Sequence, residues 1–105
     1  MAKTSPTQRS LKLMRERGYL CEIVERWNPY ARVRHDLFGF GDVICLGRDE
    51  VILVQTTSGS NMADRIDKVT NHDNIAAVRK AGVRVIVHGW RKLKSGWAVR
   101  EEDVS

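Results

Sequence analysis

The 105-residue chain encodes an α/β domain built on a mixed central sheet. Three features carry that expectation. Two short runs rich in β-branched residues, VICL (43–46) and VILV (51–54), flank the charged turn GRDE and predict a hairpin. A third run, VRVIVHGW (83–90), reads as another strand. Between them Met62, Ile66 and Val69 recur at helical spacing. Strands on both sides of a helical segment make a sheet with helices packed on it.

Each element follows in order. Ser5-Pro6-Thr7 is a helix start with proline in the first turn, and Gly18 stops that helix after about Arg17. Leu11 and Met14 share its apolar face, with Leu13 flanking, while Arg9, Lys12, Arg15 and Glu16 are solvated. The segment YLCEIVERW (19–27) alternates as a strand near an edge. Asn28-Pro29 is a turn, and Ala31 to His35 is a short extended piece. The hairpin runs are apolar almost throughout, which places them centrally in the sheet. Asn61 caps the next helix, with Asp64 in its first turn. Ile75 and Val78 fall on nearly the opposite face from Met62 and Val69, so the helix breaks near Asn71 to Asn74. Its second piece ends at Gly82. SGWAVREE (95–102) is a last strand, hairpinned to the third run through Arg91 to Gly96. The order is α-β-β-β-α-β-β in one domain, residues 1–105, with a modest core.

Composition narrows the function. A formal net charge of +5 is compatible with a polyanionic partner. No apolar run reaches the length of about 20 residues that spans a bilayer, and MAKTSPTQRSLK has no leader-like apolar core. These features predict a cytoplasmic protein without membrane contact. Cys21 and Cys45 sit in apolar segments without neighbouring ligands, as reduced core thiols do. No spacing supports a Ser-His-Asp or Cys-His hydrolase, and His72 and His88 are lone histidines.

One juxtaposition carries chemistry. If the hairpin turns on Arg48-Asp49, Leu46 faces Val51, and the same register sets Asp42 opposite Gln55. Facing residues project to one side with Cβ atoms about 4.5–5.5 Å apart. Thr57, two residues beyond Gln55, shares that side. Three oxygen-bearing side chains converging at a strand end suit a hard cation such as Mg²⁺. The structural alternative is that Asp42 caps the strand and Gln55 is a satisfied polar residue; a one-residue slip of register would dismantle the cluster.

With a helix ending in Gly-Tyr, a strand, Asp42 opening the second strand and the QTT tripeptide (55–57) closing the third, the chain resembles the PD-(D/E)XK nuclease superfamily. It is most similar to Holliday junction resolvases and related small phage or repair nucleases, from about Thr7 to His88. The resemblance implies a restriction endonuclease-like α-β-β-β-α-β core with an extra C-terminal strand. It implies a Mg²⁺- or Mn²⁺-dependent endonuclease of branched DNA, acting as a homodimer. Asp42 takes the metal-binding position, Gln55 the (D/E) position, Thr56 the free middle one and Thr57 the place of the lysine. Gln8 falls near the helix carboxylate of such resolvases. Glutamine can offer a carbonyl oxygen, but threonine cannot supply the lysine's charge. Asp36 is the candidate second carboxylate, with Glu22 and Glu25 as alternatives. Arg34, Lys68 or Lys12 are candidates to replace the lysine. The departures at Gln8 and Thr57 keep open a non-catalytic nucleic-acid-binding module on the same fold.

Two further segments could contact DNA. SGSN (58–61) leads into a helix N-terminus, where Ser58, Ser60 and the amides could receive a phosphate, or serve as a cap alone. HGWRKLKSGW (88–97) interleaves Arg91, Lys92 and Lys94 with Trp90 and Trp97. The cations could track a backbone and the indoles stack on bases, or the indoles could close the core edge.

Overall fold

A computed structural model describes residues 4–105. Helix α1 (Pro6–Glu16) is capped by Ser5, whose Oγ accepts from the Gln8 amide, and the proline occupies the first turn as expected. It leads through Gly18 into β1 (Leu20–Ile23). The expected single strand 19–27 then divides: β2 (Arg26–Asn28) leaves the sheet and pairs with β3 (Val33–His35) in a separate small hairpin. Strands β4 (Val43–Gly47) and β5 (Glu50–Ser58) form the central hairpin in the expected register, Leu46 facing Val51.

A 3-10 turn (Gly59–Asn61) feeds α2 (Met62–Thr70), and α3 (Ile75–Lys80) follows after the break at 71–74. Asn61 occupies the cap position of α2 but makes no side-chain capping bond. Strand β6 (Arg84–Leu93) runs further than expected before it turns into β7 (Gly96–Asp103). The chain reverses at Lys94-Ser95 because Arg91, Lys92 and Leu93 continue to pair with β7 beyond the sheet's covered part.

The main sheet has the order β1-β4-β5-β6-β7, with β5 and β6 parallel and the other pairs antiparallel. The molecule is therefore α/β with a mixed five-stranded sheet, and β5 lies at its centre as its apolar run requires. Helix α1 covers one face, packing Leu11 and Met14 on Cys21, Val43, Cys45, Ile52, Val54 and Ile86. Helices α2 and α3 cover the other, packing Met62, Val69, Ile75 and Val78 on Leu53, Val85 and Val87. Cys21 and Cys45 are buried cross-strand partners with free thiols, and burial pushes the Cys45 thiol up. Among the described residues no helix is long and apolar enough to cross a membrane.

A candidate metal centre

Asp42 sits one residue before β4, where the sheet is already committed. Its carbonyl accepts from the Val24 amide and its own amide donates to Val54, both at 2.8 Å, so its backbone is held from either side. Gly41 before it is required by packing: a Cβ there would lie 2.4 Å from Leu53 Cδ1. The carboxylate Oδ2 accepts three hydrogen bonds, from Gln55 Nε2 (2.8 Å), the Thr56 amide (2.8 Å) and Thr56 Oγ1 (3.0 Å). Thr7 Oγ1 of α1 lies 2.9 Å from Thr56 Oγ1, which ties the helix to the same network.

The third oxygen partner of Asp42 is thus Thr56, where facing-pair logic expects Thr57. The ladder between β4 and β5 ends at Val43 and Val54, so the Thr56 amide lies beyond it. Asp42 turns its carboxylate across the strand end to fill that place. Thr57 is buried beside Gly89 of β6 and does not line the acid pocket. Gln8 lies outside it as well, exposed in a shallow depression with Arg9, Lys12, Trp90 and Trp97. Neither of these two expected site residues meets Asp42.

Asp36 does. Ligand oxygens of Glu25, Asp36 and Asp42 lie within 4.8 Å of one another. The division of the strand at Val24 delivers Glu25, and the return from β3 delivers Asp36. Of the other carboxylate candidates, Glu22 stays on β1 facing Ile44. Gln55 completes the set in an unusual state: its Nε2 donates to Asp42 Oδ2 and to the Thr56 carbonyl, while its buried Oε1 has no hydrogen-bond partner. The reverse orientation would press its carbonyl against two acceptors, so the network fixes the amide. An unpartnered buried acceptor costs about 1–3 kcal/mol.

Burial raises the Asp42 carboxyl to about 8, and the charges of Asp36 and Glu25 push the same way against the Thr56 amide bond. Arg34, Arg65 and Lys68 line the same pocket, a cavity of about 340 Å³. Arg34 reaches Glu25 at 3.7 Å, and Arg65 and Lys68 project from α2. Two of the three cations proposed in place of the lysine are therefore at the site, and Lys12 is not.

The remaining expected contacts lie elsewhere. Ser58 Oγ and Ser60 Oγ are 3.2 Å apart at the 3-10 turn, and Ser60 lines a separate depression with Arg91 and Arg100. Lys92 and Lys94 are exposed on the β6–β7 hairpin. Trp90 belongs to the core and donates to Ser10 Oγ at 2.8 Å, whereas Trp97 is half exposed beneath the Arg9 guanidinium, 3.5 Å from its ring centre. Sequence reasoning missed Thr7, Thr56 and Arg65. Only α1's contact with β5 could have signalled Thr7 and Thr56, since both face the helix side.

No family model matches the chain, and no curated protein does.

Proposed function

We propose that the chain is a divalent-metal-dependent endonuclease that hydrolyses DNA phosphodiester bonds. The observation that carries this reading is the meeting of three carboxylates in a pocket that Gln55 also lines, with the buried Gln55 Oε1 left unpartnered. Glu25, Asp36, Asp42 and Gln55 supply the all-oxygen, mostly anionic donor set that Mg²⁺ or Mn²⁺ takes. When bound, such an ion offsets charge on a phosphate and lowers the pKa of water. Arg65 and Lys68 would receive the phosphate from the α2 side, and Arg34 would hold Glu25 toward the cluster. Thr7 and Thr56 position Asp42 and take no part in the reaction.

Binding without cutting is the second reading, favoured by the neutral Gln55 where an acid is usual and by Thr57 lying away from the pocket. Incubating branched and linear DNA with Mg²⁺ or Mn²⁺ separates the two. The nuclease reading expects cleavage by the wild type and a loss of at least about a hundredfold in Asp42→Ala. Salt-sensitive binding without cutting in either metal selects the module. Absence of binding at low salt removes both.

A further inference from the structure

Beside the acid pocket runs a second, larger groove of about 770 Å³, lined by Trp27, Pro29, His35, Leu37 and Phe38, with Asp36 shared between the two. It lies along the β2–β3 hairpin, a two-stranded sheet separate from the main one. The hairpin sequence RWNPYARVRH (26–35) holds three arginines and no acid. Its aromatic residues are exposed: Trp27 by 58%, Tyr30 by 98%, with Phe38 beyond it by 52%.

These rings are held out by specific devices. Asn28 Oδ1 accepts from the Tyr30 and Ala31 amides (3.0 and 3.2 Å), which closes the tip and projects Tyr30. Phe38 adopts φ +57°, a strained conformation for an aromatic residue. The loop around it is braced by paired bonds between Leu37 and Gly41 and by Asn74 Nδ2 on the Phe38 carbonyl at 2.9 Å. Gly39 packs so closely on the α2–α3 break that a Cβ would lie 2.3 Å from His72 Nε2. Trp27 and Arg34 are cross-strand partners and so project to one side, setting a ring beside a cation that reaches the acid pocket.

The geometry points to an unpaired nucleic-acid strand as the occupant of this groove: bases stack on Trp27 and Phe38 while Arg26, which lines the groove, and Arg32 in the hairpin turn meet the phosphates. Every base offers a face to an exposed ring, whereas bases stacked inside a duplex do not. The uniform positive charge of the hairpin complements a phosphate backbone and disfavours a second copy of itself. The inference deepens the nuclease reading and takes its ligand class from it. An unpaired stretch in the groove sets the adjoining phosphate at the acid pocket through the shared Asp36 wall.

The test is fluorescence anisotropy in EDTA with a single strand, a fork with unpaired arms and a blunt duplex. Trp27→Ala and Phe38→Ala should each weaken single-strand and fork binding about tenfold, with blunt-duplex binding changed less than about twofold. Trp27→Phe should retain most of the affinity. Equal losses on all three ligands, or none, overturn the proposal. So does a wild-type dimer that Trp27→Ala dissociates without affecting binding. Cleavage by a wild type whose hairpin variants bind normally defeats this inference alone. Selective loss of strand binding without cleavage in any metal defeats the nuclease reading alone.

Discussion

Asp42 and His88 are both buried, and burial favours the neutral form of each with opposite consequences for pH. His88 Nδ1 bonds Ser10 Oγ at 2.9 Å, while Nε2 faces Glu101 Oε1 at 3.0 Å without the alignment of a hydrogen bond. Burial lowers its pKa to about 4, against the pull of Glu101. The unfolded chain takes up a proton near pH 6.5 and the folded chain does not, so this contribution to stability is lost as pH falls toward 4. Between pH 7 and 5 it amounts to about 2 kcal/mol. Asp42 works in the other sense, since its raised pKa makes stability fall as pH rises toward 8. Comparison with His88→Gln isolates the histidine: in urea unfolding the change in stability from pH 7 to pH 5 should be less unfavourable in the variant than in the wild type by about 2 kcal/mol. Identical pH dependence in the two proteins would sink the assignment. At this scale the Asp42–Gln55 meeting was legible because hairpin register is simple arithmetic once the turn is placed. Thr56 was not legible, because a side chain capping a strand end crosses the alternation that defines its sides.

The β4–β5 hairpin carries the register on which the site depends, and its turn is costly. Arg48 and Asp49 adopt φ of 50° and 60°, the left-handed pair of a type I′ turn, which Asn-Gly fills with least strain. The double change Arg48→Asn with Asp49→Gly should raise stability by about 1 kcal/mol. The measurement is a higher urea midpoint at unchanged denaturant slope. A lower midpoint would mean that the arginine contributes more elsewhere than the turn loses. The helix break at 71–74 was readable because the apolar face changes sides there, and α1 because its cap, proline and final glycine agree. The β2–β3 hairpin was not readable as such. Its strands have three residues each, too few for alternation to show, and its exposed Trp27 and Val33 imitate core residues.

At the scale of the molecule, helices cover both faces of the sheet, and a polar concavity opens near the Asp42 end of β4. Four side chains from separate segments meet there: Glu25 where the first strand leaves the sheet, Asp36 on the return, Asp42 before β4 and Gln55 within β5. Sequence order could place the last two together, but Glu25 arrives only because the strand divides, a tertiary event without a local signature. The groove of the β2–β3 hairpin opens beside this point, so exposed aromatic rings, cations and carboxylates adjoin. The central claim is that these oxygens hold a divalent cation. Counting Mn²⁺ by electron paramagnetic resonance on wild type and Asp42→Asn at pH 8.5 tests it most directly. The wild type should bind Mn²⁺, with affinity falling about tenfold per pH unit below 8 as the proton on Asp42 competes. The variant, isosteric and still able to accept from the Thr56 amide, should bind at least about tenfold more weakly. Absence of bound Mn²⁺ in the wild type, or equal binding by both proteins, would contradict the account.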